Sequence, residues 1–245
     1  MVLAKTPLIV MVGLYLSGGD PAAPEVWFTL LAATLTWATL YALNESADLE
    51  IETGQSADRT LKSALLALLA AIILASIFVS PQLAMIILAM VLVQLAYSLP
   101  GLRLKRYWWY VIATSGALNP LLRLECGVIW GHQALPLVCY LALVLVHLGG
   151  ALQTRILRRE RDRLLGYQII PTDWKGISTI PMVTGILLVY GLCWQGTLPV
   201  VCVLFATAGL VFTIISQRIT NMATLHKCWV IFAILSVVAL IVMYR

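Results

Sequence analysis

Charge is scarce in this chain. Asp, Glu, Lys and Arg make up 11% of its 245 residues, against 61% apolar residues, and the mean hydropathy is +0.95. Soluble domains carry about 25% charged residues, so a soluble domain is excluded. Nor is there a polar stretch long enough for a linker between domains. The five cysteines (Cys126, Cys139, Cys193, Cys202 and Cys228) form no CxxC pair and all fall within apolar runs; buried cysteine acts as a small hydrophobe, so no metal or disulfide role is expected. No basic patch is interleaved with aromatics on a soluble region, which excludes nucleic acid as a partner. No small-residue cleavage pattern precedes Gly18-Gly19, and the N-terminal run reads as a retained helix rather than a cleaved signal peptide.

What remains is a series of apolar runs, each long enough to cross the ~30 Å hydrocarbon core of a bilayer. Nine spans are expected, at about 5–19, 24–46, 61–80, 82–100, 107–131, 134–156, 176–195, 198–217 and 224–245. They make one all-α, polytopic membrane domain over residues 1–245. The tight break at Ser80-Pro81 predicts a close hairpin of the third and fourth spans. Nine spans put 14 of the 16 Lys and Arg residues on one face, with only Arg123 and Arg245 elsewhere. The positive-inside rule makes that face cytoplasmic, giving a cell (inner) membrane protein with a cytoplasmic N-terminus.

Three loops on that face carry chemistry. Asn44, Asp48 and Glu52 follow the second span at intervals of four. If the helix continues, they share one face over ~12 Å. Such a row of oxygen ligands suits Mg²⁺, which is commonly held by a few carboxylates and substrate phosphates; a helix end solvated by polar residues fits it equally. After the fourth span come Tyr97, Ser98, Pro100, Gly101, Arg103, Leu104, Lys105 and Arg106. Three cations within four residues can clamp a phosphate or simply set topology. After the sixth span, Arg155, Arg158, Arg159, Arg161 and Arg163 surround Glu160 and Asp162. That loop reads as a docking surface for anionic lipid or as a partner for a diphosphate, with Asp162 holding a metal. Taken together, carboxylates, cations and a phosphate clamp are the parts needed to ionise an organic diphosphate, where metal and cations neutralise the leaving group.

These residues resemble the UbiA superfamily of intramembrane prenyltransferases. The first family motif, Asn-x-x-x-Asp-x-x-x-Asp after the second helix, is matched by Asn44, Asp48 and Glu52, with Glu for the last Asp. A Tyr-Ser-x-Pro-Pro-x-Arg-Leu-Lys signature after the fourth helix is matched by Tyr97, Ser98, Pro100, Arg103, Leu104 and Lys105, with Gly101 for the second Pro. The second motif, Asp-x-x-x-Asp followed by Arg and then Gly, is matched by Asp162, Arg163 and Gly166, but its first Asp falls on Arg158. The resemblance implies a nine-helix bundle in which Mg²⁺ on the acidic motifs holds an isoprenyl diphosphate whose tail lies in a hydrophobic tunnel. It implies Asn44, Asp48, Glu52 and Asp162 as metal ligands. Tyr97, Arg103 and Lys105 then hold the diphosphate, and Asp48, Asp162 and Lys105 carry catalysis. Arg158 cannot ligate a metal, but a guanidinium there can contact the diphosphate. The implied reaction is transfer of the prenyl group to an acceptor, expected to be lipophilic or aromatic. Alternatives are a terpene cyclase on the same scaffold and a catalytically weak scaffold protein.

Among polar residues within spans, Arg123 and Glu125 are either functional or near the far interface, and His147 reads as a hydrogen-bonded core residue. Trp108, Trp109 and Trp174 suit an aromatic belt or a tunnel that stabilises an allylic cation. The predicted topology puts the loop at His132 outside. In a Cys-free background, His132→Cys should be labelled by an impermeant thiol reagent from the outer side, and labelling from the cytoplasmic side would overturn the topology.

Overall fold

The computed structural model describes residues 2–54, 58–99, 102–171, 174–196, 198, 201–218, 224, 227 and 231. Among them every regular element is helical. The long ones are α1 (Val2–Leu16), α2 (Pro24–Thr53), α3 (Arg59–Val79), α4 (Pro81–Ser98), α7 (Leu137–Leu157), α10 (Thr179–Trp194) and α11 (Val201–Arg218). The predicted fifth span is α5 (Trp108–Ile112), a π-helical turn (Ala113–Leu118) and α6 (Asn119–Val128) in series; short α8 (Arg159–Leu164) and α9 (Trp174–Ile177) precede α10. The first eight predicted spans thus coincide with helices, while the ninth, 224–245, lies almost wholly outside the described residues.

Local sequence explains the boundaries. Pro24 stands in the first turn of α2, where its missing N–H costs nothing, and Gly54 ends the helix in the left-handed conformation at φ 69°, as glycine commonly does. Ser80 ends α3 and caps α4, its hydroxyl accepting from the Leu83 N–H ahead of Pro81. That shared cap makes the predicted α3–α4 hairpin. The π turn precedes Pro120, whose ring would crowd the carbonyl four residues back in a regular helix. The Asn119 N–H instead reaches Thr114, five residues back.

The packing falls into two compact units, residues 2–106 with 122–133, and residues 107–121 with 134 onward. In the first, Val10, Ala32, Ala33, Trp37, Ile72, Leu83, Ile87, Met90 and Cys126 form the core. In the second, Ile112, Leu152, Ile156 and Ile170 cluster with Trp108, Leu148 and Trp174 around them. Large apolar side chains such as Leu31, Leu74, Phe78, Met85 and Leu92 are exposed, whereas Thr29, Thr36, Thr39 and Ser76 are buried. An apolar exterior around small and polar contacts is the distribution a bilayer favours, because lipid gives apolar groups no reason to hide. With four helices (α2, α3, α4 and α7) long and apolar enough to cross, the chain is a multi-pass membrane protein. At 30 residues, α2 is ~45 Å long, about ten residues more than a span needs; its surplus carries Asn44 to Glu52.

Two sequence expectations resolve inside the spans. Arg123 is buried with its guanidinium stacked on the Trp37 ring, 3.9 Å from the centroid, a cation–π contact. His147 is half-buried, and its Nδ1 lies 3.0 Å from the Leu143 carbonyl, one turn back. Close backbone approach holds α1 against α6: a Cβ added to Gly127 would sit 1.9 Å from the Val10 carbonyl oxygen, whereas one added to Gly191 meets nothing. Gly127→Ala is therefore expected to destabilise the protein by at least the ~1–3 kcal/mol typical of overpacking, and Gly191→Ala to leave it unchanged or slightly more stable. Thermal unfolding in detergent would check both.

Candidate functional site

Each unit carries one acidic motif. In the first, α2 stays helical through Thr53, so Asn44, Asp48 and Glu52 do lie in one row along it. Asn44 and Asp48 are buried and Glu52 is exposed. Glu50, on another face, pairs with Lys62 of α3 at 2.6 Å.

The chain after α4 folds onto this row. Ser98, its last residue, donates through Oγ to Asn44 Oδ1 at 2.9 Å. Leu102 and Arg103 N–H groups both return to the Leu99 carbonyl, and Arg103 takes a positive φ of 37°, a conformation uncommon for a residue with a Cβ. That turn leads into a single 3₁₀ turn, Leu104–Arg106. Lys105 is carried inward until it is 2% exposed. Its Nζ donates to Asn44 Oδ1 at 2.9 Å and pairs with the Asp48 carboxylate. The Tyr97 ring centroid lies 6.0 Å from the same nitrogen. Burial pushes the Lys105 pKa below its ordinary value; the hydrogen bond and charge of Asp48 pull it back up, and the neighbouring Arg103 pushes it down. Arg103 itself has a buried Nε without a hydrogen-bond partner. Pro100 and Gly101 of the signature lie outside the described residues.

The arrangement can hold a cation. Two oxygens from consecutive turns of α2, an amide and a carboxylate, converge on one charged nitrogen, and hard oxygen donors of this type are what Mg²⁺ takes. Among the described residues, no group of three or more His, Cys, Asp or Glu side chains is gathered for a metal, so an ion here would rely on the Asn44 amide as well as on carboxylates.

In the second unit the Arg-rich stretch is not one helix. α7 stops at Leu157, Arg158 sits between at φ −89°, ψ 4°, and α8 begins at Arg159. Arg158 and Asp162 therefore do not share one uninterrupted helix, although the Asp162 N–H still reaches the Arg158 carbonyl at 2.9 Å. Asp162 is buried, and the Arg155 guanidinium reaches its carboxylate at 3.0 Å. Arg155 also lies over the Tyr167 ring, 5.5 Å from the centroid. Glu160 is exposed and pairs with Arg163 at 3.3 Å. In the same unit Trp108 and Trp174 meet edge to face at 5.6 Å.

Sequence reasoning thus named Asn44, Asp48, Lys105 and Asp162 but missed two working contacts. Ser98 was visible as a signature match, without a role. Arg155 had a signal, a spacing of seven from Asp162 that puts both on one side of two helical turns. Removing one partner of a buried ion pair strands the other charge at a cost of about 3–5 kcal/mol. Arg155→Ala is expected to lower thermal stability by that order, while Arg163→Ala, at an exposed pair, should change it by no more than about 1 kcal/mol.

No protein-family model matches the sequence, and no curated protein does. Solved structures do. A UbiA homolog from Archaeoglobus fulgidus bound to GPP and Mg²⁺ is similar with a TM-score of 0.75 at 15% identity, covering 98% of this chain and 95% of that one. The same homolog bound to DMAPP and Mg²⁺ gives 0.73 at 14% identity over 98% and 94%. Bound to Cd²⁺ it gives 0.72 at 16% identity over 96% and 95%. With likeness over nearly the whole of both chains, the fold of this protein is that of the UbiA homologues.

Proposed function

We propose that this protein is a UbiA-type intramembrane enzyme that ionises an isoprenyl diphosphate and transfers the prenyl group to a lipophilic, expectedly aromatic, acceptor. The observation that carries this reading is the buried cluster of Asn44, Asp48, Ser98 and Lys105 at the polar ends of α2 and α4. Residues 54 to 61 apart in the chain are brought together there, and they are the residues of two separate motifs. The structural neighbours bound to GPP or DMAPP with Mg²⁺ support the substrate class and the metal.

On this reading Asn44, Asp48 and Glu52 hold Mg²⁺, as does Asp162. Bound there, the metal supplies positive charge that neutralises the departing diphosphate. The chain's own groups do the rest. Lys105 offers three donors and a point charge to the diphosphate, and Arg103 a planar fork. Tyr97, beside the Lys105 nitrogen, contacts the same group. Arg158, half-buried at the break between α7 and α8, is assigned a diphosphate contact. Arg155 holds and orients Asp162. Preorganised cations in a site shielded from water stabilise charge that develops in the transition state, commonly the dominant source of rate enhancement in such catalysis. We place the N-terminus in the cytoplasm of a cell (inner) membrane, on the 14-to-2 split of basic residues.

Detergent-solubilised protein incubated with labelled isoprenyl diphosphates, Mg²⁺ and a panel of acceptors would test this. Release of diphosphate with a product larger than the prenyl group is expected, and a chelator should abolish it. A terpene hydrocarbon or alcohol instead would mean cyclisation, and no release would mean a scaffold protein. Asp48→Ala is expected to lower turnover by roughly a hundredfold or more, the order seen when one charge-stabilising group is lost. Near-normal turnover of that variant at limiting Mg²⁺ would remove Asp48 from the metal site.

A further inference from the structure

Lys105 stands where an ion is wanted. Its nitrogen touches two of the oxygens assigned to the metal, Asn44 Oδ1 and the Asp48 carboxylate, and the side chain is almost wholly shielded. An amide oxygen has two lone pairs. Both on Asn44 are taken, one by the Ser98 hydroxyl and one by the Lys105 ammonium. A divalent ion therefore cannot bind Asn44 while both donors stay, and it would also meet an ammonium a few ångströms away. Of the two, Lys105 is the group a metal must move, because its charge repels the metal and its carboxylate partner is the ligand the metal needs.

We propose that Lys105 is the resident cation of the Asn44–Asp48 pair: in the metal-free protein its ammonium holds the two oxygens, and a divalent cation binds by displacing it. The inference rests on the reading above that these oxygens take a divalent cation. The surroundings suit an exchange of cations. Asp48 is buried, and a carboxylate taken out of water needs a positive charge beside it. The other charges acting on Lys105 are Glu45, which favours the ammonium, and Arg103, which opposes it. A lysine's flexible four-carbon stem can swing out where a guanidinium fork would not. The Tyr97 ring offers the leaving ammonium a face to pass over. The resident cation thus keeps the site assembled, at the expense of metal affinity in the absence of an anionic substrate that can receive the ammonium.

The test measures metal binding, not turnover. Full-length protein in detergent is stripped with chelator and titrated with Mn²⁺, free ion being read by electron paramagnetic resonance. Wild type is compared with Lys105→Met and with Lys105→Gln, which lacks the charge but keeps a polar head. Both variants are expected to bind Mn²⁺ roughly tenfold tighter than wild type, since a repelling unit charge is gone. Both should melt at a lower temperature in chelator and recover with Mn²⁺. Asp48→Asn is expected to abolish the binding. Lys105→Met that folds only when Mn²⁺ is supplied would support the proposal equally. It is overturned if both variants bind Mn²⁺ no tighter than wild type, if neither folds with Mn²⁺ present, or if Asp48→Asn binds as before. Wild type that releases diphosphate while the variants gain no affinity would keep the reaction and lose this proposal; a gain in affinity without diphosphate release would do the reverse.

Discussion

An ammonium and a carboxylate removed from water constrain this structure more than any other contact. Lys105 and Asp48 meet with both side chains almost fully shielded, and Asn44 and Ser98 complete the network. Desolvating two such charges costs several kcal/mol each, and only close pairing with further hydrogen bonds offsets it. The network must therefore be complete or it is a liability. That demand shapes the backbone around it. α2 has to run straight past the bilayer core to present Asn44 and Asp48, α4 has to end at Ser98, and the turn after it accepts a positive φ at Arg103 so that Lys105 is delivered inward.

The second acidic motif follows the same electrostatic rule with a different cation. Asp162 is buried and matched by Arg155, and the choice of arginine has a reason. Its guanidinium lies over the Tyr167 ring while one N–H donates to the carboxylate, and a guanidinium stacks on an aromatic ring more readily than an ammonium does. Asp48 and Asp162 are both buried, and each is held by a positive charge the chain itself supplies. For chemistry in which negative charge must depart, acids already held in place require little reorganisation when a metal or an anionic substrate arrives.

Elsewhere the packing obeys the rules of lipid. Interior positions go to small residues that let backbones approach, as Gly127 does against Val10 and Gly149 against Ser178, because close van der Waals contact replaces the hydrophobic effect as the force between helices. Arg123 fits the same logic. A guanidinium deep in a span is tolerated by stacking on Trp37, where the ring's electrons partly replace water.

Taken alone, the sequence determined the helices and the rows of residues along them. A long apolar run becomes a helix in a bilayer because only a helix satisfies a segment's backbone hydrogen bonds within that segment, so the first eight spans were legible, and the spacing of four placed Asn44, Asp48 and Glu52 on one face of α2. What it did not determine was which charge neutralises which. Asp48 lies on α2, 57 residues before its lysine, and nothing in either local pattern says that the turn after α4 folds back on α2. Near Asp162 five arginines lie within nine residues; Arg155 pairs with it across a break at Arg158, which regular periodicity does not anticipate. Periodicity is a property of the backbone's own hydrogen bonds and can be read from one segment. Ion pairing depends on distance and shielding between segments, and those exist only once the helices have packed.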